Sequence, residues 1–284
     1  QLTELRVLDL ANTLTGFQAS EEVRGTLPWS ISEFWNLLYL DISSNMYTGT
    51  IPGAIGRISY LQIFNCDYNN LIGFIPTELS YLTQLQEIHV RNNVLDGRLP
   101  RDLSSSKTLT YLDIGRNRLS GTIPTVLPSL SHLDFSFNIF SGTIPSTLAR
   151  LTELTTLQGS SNQLTGTVPT ELMLLSSLQT FTLENNNLRG TIADGFCDLQ
   201  DTGSLETFIM DCEEVICSCC TGCGPTPSPG SIFGTNAPSL PPFFVTRSPA
   251  STPLSSLERL VMSIYSNPDQ GYEALQEAGS PQYT

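Results

Sequence analysis

A short glycine-containing motif returns at a nearly constant interval along the first two thirds of this 284-residue sequence. It is Gly-Thr-Ile-Pro at 49–52, 121–124 and 142–145, and near variants from 25–28 to 190–193 bring the series to eight copies. Seven of the glycines follow an asparagine by four residues, and these asparagines are Asn45, Asn69, Asn93, Asn117, Asn138, Asn162 and Asn186. Successive asparagines lie 24 residues apart, except for one interval of 21. Such a period predicts a stack of similar units.

Aliphatic residues alternate with polar ones just before each asparagine, as Ile88 and Val90 do before Asn93. This alternation predicts a short β-strand with one buried face. Because a single strand cannot bury that face alone, stacked strands should form a parallel sheet with a spacing of about 4.8 Å. An asparagine amide can bond both kinds of backbone group where the chain turns inward, so the seven asparagines are predicted to form a structural ladder.

The unit can be written LxxLxxLxLxxNxLxGxIP and resembles the leucine-rich repeat, in the 24-residue form of plant receptor-like proteins. The resemblance covers residues 1–193 and implies an array of eight repeats. It implies an α/β solenoid, a right-handed coil with a parallel β-sheet on its concave face. A scaffold of this kind has no chemistry of its own, so function is expected on the strands that face outward.

Departures from the period predict local features. Extra residues after Asn12 are expected to form a surface loop, and the three residues missing between Asn117 and Asn138 are expected to tighten the curvature. Gly159 stands at an inward leucine position and predicts a small void. Cys66 stands at another such position and is expected to be a buried thiol.

Cysteines replace leucines after the last repeat, and six of them crowd into 27 residues: Cys197, Cys212, Cys217, Cys219, Cys220 and Cys223. The open end of a solenoid needs a cap, and disulfides stabilise a segment too short to have its own core. We therefore predict a partial strand and a disulfide-rich cap at 194–224, with fifteen possible pairings. Zinc is the alternative, since Cys220-x-x-Cys223 has metal-ligand spacing, although no histidine lies nearby. The pattern from Asp211 to Cys223 resembles the Cys-rich terminus of algal, diatom-type leucine-rich-repeat proteins.

The last quarter of the chain changes in composition. Residues 225–256 are rich in proline and serine and predict an extended linker. Within 257–284, Leu257, Val261 and Ile264 have the spacing of one helical face, which predicts a short amphipathic helical segment. This segment resembles the helical stretch that precedes the repeats in the algal proteins, so it could begin the N-terminal cap of a second array.

The net charge limits the classes of partner that the chain can bind, and the cysteines indicate the compartment in which it folds. With 27 acidic and 13 basic residues the net charge is -14, which would repel nucleic acid. Crowded cysteines favour an oxidising compartment, so we expect an extracellular or cell-surface location. Because no apolar run approaches about 18 residues, membrane attachment is expected only through flanking segments. The sequence has no Asn-x-Ser or Asn-x-Thr sequon, which is unusual for a secreted protein.

The outward-facing strand residues and those just after the strands define a candidate binding surface. It consists of Tyr39, Asp41, Tyr68, His89, Arg91, Tyr111, Asp113, Arg116, His132, Asp134 and Phe137. Aromatic residues and arginine anchor interfaces, so we predict a protein, peptide or glycan ligand here. His89 and Asp113 should be cross-strand neighbours. Two carboxylates, Asp113 and Asp134, are too few for calcium, which takes about 6 to 8 oxygens, so no metal or cofactor is predicted.

No catalytic residue is predicted, because the sequence lacks Gly-x-Ser-x-Gly, a phosphate-binding loop and His-Glu-x-x-His. We expect a non-enzymatic recognition module, a receptor-like ectodomain. The alternative is a secreted structural or inhibitory repeat protein of the cell-wall or ice-binding type. Threonines recur beside the glycines, although Phe74 and Arg98 interrupt the row of Thr50, Thr122, Thr143, Thr167 and Thr191.

Overall fold

The computed structural model describes residues 5–12, 25–127, 130–201, 204–211 and 214–223, all within one compact unit, Leu2–Thr226. In chain order the strands are β1 (Val7–Asp9), β2 (Tyr39–Asp41), β3 (Ile63–Asn65), β4 (Ile72–Gly73), β5 (Glu87–His89), β6 (Val94–Leu95), β7 (Tyr111–Asp113), β8 (Ser120–Gly121), β9 (His132–Asp134), β10 (Ile139–Gly142), β11 (Thr156–Gln158), β12 (Gln163–Gly166), β13 (Thr180–Thr182), β14 (Asn187–Leu188), β15 (Gly190–Thr191), β16 (Thr207–Met210), β17 (Val215–Ile216) and β18 (Gly222–Cys223). The described helices are 3-10 helices at Trp29–Glu33, Gly53–Arg57, Thr77–Tyr81, Arg101–Ser105, Ser146–Arg150 and Thr170–Leu174, and α1 (Gly195–Asp201).

One strand from each coil joins a parallel ten-stranded sheet in the order β1-β2-β3-β5-β7-β9-β11-β13-β16-β18. Smaller parallel sheets, β14-β12-β10-β8, β15-β17 and β4-β6, run along the flank of the coils. The parallel order follows from the repeat, because each coil brings the chain back in the same direction one strand further along. The predicted solenoid with its parallel sheet is confirmed.

The core is a continuous aliphatic column between the sheet and the 3-10 helices. The middle residue of each strand points into it, and Leu40, Ile88 and Leu112 are fully buried. In each 3-10 helix of the array a proline precedes the first residue, as Pro76 precedes Thr77, and fixes an extended approach to the turn. Burial of this kind is worth about 25 cal/mol per Å² of apolar surface, so the stacking of coils is the main source of stability.

The asparagines after the strands bond neighbouring coils to one another. Asn93 donates its Nδ2 hydrogens to the carbonyls of Cys66 at 2.9 Å, Arg91 at 3.2 Å and Val90 at 3.3 Å. Its Oδ1 accepts the N–H of Leu71 at 3.0 Å. The other six asparagines of the predicted ladder donate in the same way to their own coil and to the coil before it.

The glycine of the repeated motif contacts the threonine of the coil before it. Gly73 has φ +76°, and a Cβ there would lie 3.0 Å from the Cγ2 of Thr50. The same contact joins Gly166 to Thr143. Glycine is therefore needed both for its left-handed conformation and because the threonine methyl fills the adjacent space. This packing explains the recurring threonines by the stacking of the coils.

Three of the predicted departures concern described residues, and Cys66 is a buried free thiol, as expected. The coil that is three residues shorter keeps its register, since Tyr111 pairs with His132 and Asp113 with Asp134. The void predicted at Gly159 is wrong, because the Phe135 ring occupies the space that a side chain there would need. A larger side chain in the neighbouring coil thus compensates for the missing leucine. The loop predicted after Asn12 and the whole segment beyond residue 223 lie outside the described residues.

Disulfides and phenylalanines close the C-terminal end of the array. The bonds Cys197–Cys219 and Cys217–Cys220 are formed, and Cys223 is also disulfide-bonded, whereas Cys212 lies outside the described residues. The rings of Phe181, Phe196 and Phe208 lie 5.5 to 5.7 Å apart and extend the apolar core under the cap. β18 adds a tenth strand beside β16. Thiols that are paired in disulfides do not bind zinc, so the metal alternative is set aside for these cysteines.

Candidate functional site

Three of the predicted surface residues, which are aspartates on the outward face of the sheet, are buried and stabilise the backbone. The Oδ1 atoms of Asp41, Asp113 and Asp134 accept the N–H two residues later at 2.8, 2.9 and 2.8 Å. Each carboxylate closes the turn that follows its strand, as aspartate commonly does. The exposed fraction of Asp134 is only 1%. Sequence reasoning placed these three aspartates in the binding surface and missed this role, although its signal, Asp-x-Ser or Asp-x-Gly, is present at all three.

Tyr39 and Asp41 bond to each other at the N-terminal side of the candidate surface. The Tyr39 hydroxyl donates to Asp41 Oδ2 at 2.8 Å, and Asn65 Nδ2 donates to the same oxygen at 2.9 Å. Burial, with the hydrogen bond to Asp41, raises the pKa of Tyr39 to about 12. The hydroxyl therefore stays protonated, and the two side chains are engaged with each other.

Arg91 lies between two carboxylates that belong to the next two coils. Its Nη1 contacts Asp113 Oδ2 at 3.3 Å and also contacts Asp134 Oδ2. Burial lowers the pKa of Arg91, but the two carboxylates raise it by more, so the guanidinium remains charged. Burial and the charge of Asp134 raise the pKa of Asp113, and Arg91 opposes this. An internal arginine thus balances the two aspartates considered for calcium.

Three rings on successive strands form a continuous stack, which we call the ring stack: His89, Tyr111 and His132. The Tyr111 ring lies 4.4 Å from His89 and 4.1 Å from His132 between centroids, at interplanar angles of 24° and 3°. His89 is the register partner of Asp113, as predicted, but its Nε2 bonds Glu87 Oε2 at 2.9 Å. The ring stack therefore presents ring edges, rather than faces, to the concave surface.

The polar edges of Tyr111 and His132 are available to a ligand. Neither the Tyr111 hydroxyl nor the His132 ring has a hydrogen-bond partner among the residues that the structure describes. Burial, then Asp113, raises the pKa of Tyr111 to about 12, so its hydroxyl remains a donor. Burial lowers the pKa of His132, so its ring is neutral at pH 7 and can both donate and accept.

Asp67 belongs to this site, although the sequence-based selection omitted it. One of its oxygens accepts the backbone N–H of Arg91. Burial, then the negative charge of Asp113, raises the pKa of Asp67 to about 7. Its charge therefore changes close to neutral pH, beside the ring stack.

The remaining candidates, Tyr68, Arg116 and Phe137, lie on the rim where the strands end. All three have a left-handed backbone, with φ of 54°, 53° and 53°. Tyr68 is 51% exposed and Phe137 is 44% exposed. The Arg116 Cζ lies 4.2 Å from the centroid of the Phe137 ring, a cation–π contact. The structure thus separates the predicted site into a concave group and a rim group.

The repeats can be compared with known proteins. A family model described as Leucine Rich Repeat matches residues 36–58, 108–130, 129–151 and 177–199. The chain is a leucine-rich-repeat protein. No curated protein sequence gives a significant match.

Solved plant receptor structures share the fold of this leucine-rich-repeat protein. The plant peptide hormone receptor RGFR1, in complex with RGF2, is 31% identical with a TM-score of 0.62, over 69% of this chain and 31% of that one. The Arabidopsis receptor kinase HAESA, in complex with the peptide hormone IDA and the co-receptor SERK1, is 35% identical with a TM-score of 0.56, over 60% and 29%. The ectodomain of the Arabidopsis thaliana receptor kinase GASSHO1/SCHENGEN3 is 28% identical with a TM-score of 0.59, over 75% and 27%.

These comparisons indicate the class of the protein, and they cover only part of each receptor. The chain spans less than a third of the length of each of the three receptor ectodomains. Leucine-rich-repeat proteins and such ectodomains are non-enzymatic recognition modules, which confirms the prediction that this chain is not an enzyme. The disulfides and the likeness to ectodomains indicate an extracellular location. No helix of the described residues has the length and apolarity to cross a membrane.

Proposed function

We propose that the array is a receptor-like ectodomain that binds an extended peptide segment on its concave face, across strands β3 to β9. The observation that carries this proposal is the ring stack, with hydrogen-bonding groups of Tyr111 and His132 that no described residue engages. A peptide backbone offers carbonyl and N–H groups at regular intervals, which match such edges. RGFR1 is a plant peptide hormone receptor in complex with RGF2, and HAESA is in complex with the peptide hormone IDA, which supports the same class of ligand here.

The packing of the rings favours a peptide over a glycan. A sugar stacks its C–H face on an exposed aromatic face, but imidazole rings at 4.4 and 4.1 Å cover both faces of Tyr111. Nearby carboxylates, Asp67 and Glu87, favour a neutral or basic segment over an acidic one. The proposed ligand is therefore a peptide without a dense negative charge.

A binding screen with matched variants tests this proposal. A panel of neutral, basic and acidic peptides, with neutral oligosaccharides beside them, is titrated against the whole chain by fluorescence anisotropy. We expect binding by a neutral or basic peptide, weakened about tenfold or more by Tyr111→Ala or His132→Ala, because each removes a central contact. Thr180→Ala, in the same column on β13, is the control and should change nothing. Binding of the neutral or basic peptides that is indifferent to the ring-stack variants would contradict the proposed site.

The second candidate is a secreted structural or ice-binding repeat protein, for which the observation is the row Thr122, Thr143 and Thr167 on consecutive coils. The methyl groups of these threonines pack on the glycines of the following coils, with 3.0 to 3.1 Å to a Cβ placed there. Since the stacking accounts for the row, we rank this function second. Inhibition of ice growth that Thr143→Val leaves intact and Thr143→Arg abolishes would favour it.

We also propose a domain order that follows from the sequence, with the array at 1–193, the disulfide cap at 194–224, the linker at 225–256 and the helical segment at 257–284. Attachment to a membrane would then come from segments that flank this chain. Limited proteolysis tests the order, with a stable fragment that ends between residues 223 and 256 as the expected product.

A further inference from the structure

One flank of the coils differs in residue type from the rest of the array. On this flank two positions carry small polar residues in most coils, namely the left-handed residue after the strand, which is asparagine or serine, and the residue after the motif glycine, which is threonine. The left-handed position changes in the third, fifth and sixth coils, to Tyr68, Arg116 and Phe137. The position after the motif glycine changes in the third and fourth coils, to Phe74 and Arg98. We call this surface the basic apolar flank, and its residues are Tyr68, Ile72, Phe74, Arg98, Arg116 and Phe137.

The left-handed position shows the first departure. The residues with positive φ in the other described coils are Asn12, Ser44, Asn92, Ser161 and Asn185, with φ between 53° and 58°. Asparagine tolerates this conformation, whereas bulky side chains are strained in it. Tyr68, Arg116 and Phe137 take it nevertheless, and Phe137 is 44% exposed. Strain of this kind persists where it serves a function other than stability.

The position after the motif glycine shows the second departure. Elsewhere a threonine methyl fills the space over the next glycine, as Thr50 does over Gly73. In two consecutive coils Phe74 lies over Gly97 and the stem of Arg98 lies over Gly121 instead. Phe74 is 66% exposed, so most of its surface does not contribute to packing. Threonine would satisfy the stacking, so the larger side chains exceed what the fold needs.

Charge defines the kind of partner that this flank fits. Arg98 and Arg116 form no ion pair with any carboxylate of the described residues, although the chain as a whole has a net charge of -14. At long range that charge repels a polyanion or an anionic membrane. At contact range the two guanidinium groups attract individual carboxylates, while Phe74 and Ile72 offer apolar area. Tyrosine, phenylalanine and arginine are typical of the energetic centres of protein interfaces.

We propose that the basic apolar flank docks a second protein, whose contact surface places carboxylates around an apolar centre. This surface is separate from the ring stack, so the array would bind its peptide on the concave face and a partner protein on its flank. The proposal does not depend on the concave site.

Substitution by the residues of the other coils gives variants that should keep the fold. Phe74→Thr with Arg98→Thr restores the threonine row, and Tyr68→Asn with Phe137→Asn restores asparagine at the left-handed position. Tyr81→Thr serves as the control, because it removes an exposed aromatic ring from a 3-10 helix that lies across the core from the sheet. We expect unchanged or higher thermal stability in the asparagine variant, because backbone strain is relieved.

The probe is a short synthetic peptide in which glutamate alternates with leucine and tryptophan, titrated against the whole chain by isothermal calorimetry. We expect binding that weakens as salt is raised from about 50 to about 300 mM, because carboxylates pair with arginine. Each flank variant should weaken it about tenfold, while Tyr81→Thr and Tyr111→Ala leave it unchanged. Failure of the wild-type chain to bind, or equal binding by the flank variants, would overturn the proposal. Stronger binding to phosphatidylserine vesicles than to the peptide would also overturn it, in favour of a membrane.

Discussion

At the scale of single residues, the concave face contains side chains that stabilise a coil and side chains that are free for a ligand. Asp113 and Asp134 hold the turns after their strands, and Arg91 balances their charge. Tyr111 and His132 stack on each other and have no side-chain hydrogen bond to any described residue, so their polar groups can meet a ligand. The concave face thus combines buried carboxylates that stabilise the coils with side chains that can bind a ligand.

The carboxyl of Asp67 gives a prediction for stability against pH. Its pKa is raised to about 7 by burial and by Asp113, from about 3.9 in an unfolded chain. The folded state therefore binds the proton more tightly, and the resulting destabilisation grows from about pH 4 to about pH 7 and is then constant. Asp67→Asn should raise the free energy of unfolding by about 1 to 2 kcal/mol at pH 8 and by less at pH 5. Urea unfolding at both pH values measures this.

The control for that prediction is Asp96→Asn, which changes an exposed carboxyl and should leave the free energy of unfolding unchanged at both pH values. A gain from Asp67→Asn that is equal at pH 5 and pH 8 would argue against a raised pKa.

At the residue scale, the sequence predicted which side chains face outward and neighbour each other, but not which groups they bond. The period of two placed His89 beside Asp113, and the register has them paired. It could not show that the His89 ring bonds Glu87, because the choice among neighbours depends on rotamers. Arg91 reaches Asp134 two coils away, a contact that no local spacing contains. The predicted void at Gly159 failed because the compensating Phe135 lies in another coil.

At the scale of the elements, hydrogen bonds of the asparagines tie each strand end to the coil before it. Asn93 is buried and makes four hydrogen bonds, two to the coil before it and two within its own coil. Asn93→Ala should lower the free energy of unfolding by about 2 to 4 kcal/mol, because several buried backbone groups lose their partner. Chemical denaturation followed by circular dichroism measures it. Asn70→Ala, one residue beyond another ladder asparagine, is the control and should cost less than about 0.5 kcal/mol.

The cap gives a second prediction at this scale. The bond Cys197–Cys219 closes a segment of 22 residues and ties α1 to the strands that follow. Changing both cysteines to serine should lower the free energy of unfolding by about 2 to 4 kcal/mol, because the unfolded chain gains freedom. Thermal unfolding without reductant compares this variant with Cys66→Ala, which removes a buried thiol that no disulfide involves. Equal melting temperatures for the wild type and the double variant would contradict a stabilising role for the cap bond.

The elements that recur in every coil could be predicted from the sequence, whereas the cysteine pairing of the element that occurs once could not. Seven asparagines at a nearly constant spacing predict the strands and the sheet, because the same pattern occurs in each coil. The cap occurs once, and its cysteine pairing depends on how α1 and β18 fold against β16. The spacing of the cysteines in the sequence does not determine that arrangement.

At the scale of the repeat array, stability is a sum over neighbouring coils, and binding surfaces arise where coils differ from that common pattern. The ring stack departs from it on the concave face, and the basic apolar flank departs from it on the side. A repeated scaffold could be predicted from sequence in most of its parts. The ligand could not, since it depends on the side chains that the repeat does not determine.

The most direct test of a concave binding site is to locate a bound peptide on the chain. A peptide selected in the binding screen is made with a photoreactive side chain, crosslinked to the whole protein and mapped by mass spectrometry. We predict crosslinks within strands β5, β7 and β9, at or beside His89, Tyr111 and His132, and their loss when unlabelled peptide is in excess. Crosslinks confined to the 3-10 helices of the opposite side, such as Thr77–Tyr81 and Ser146–Arg150, would contradict the account.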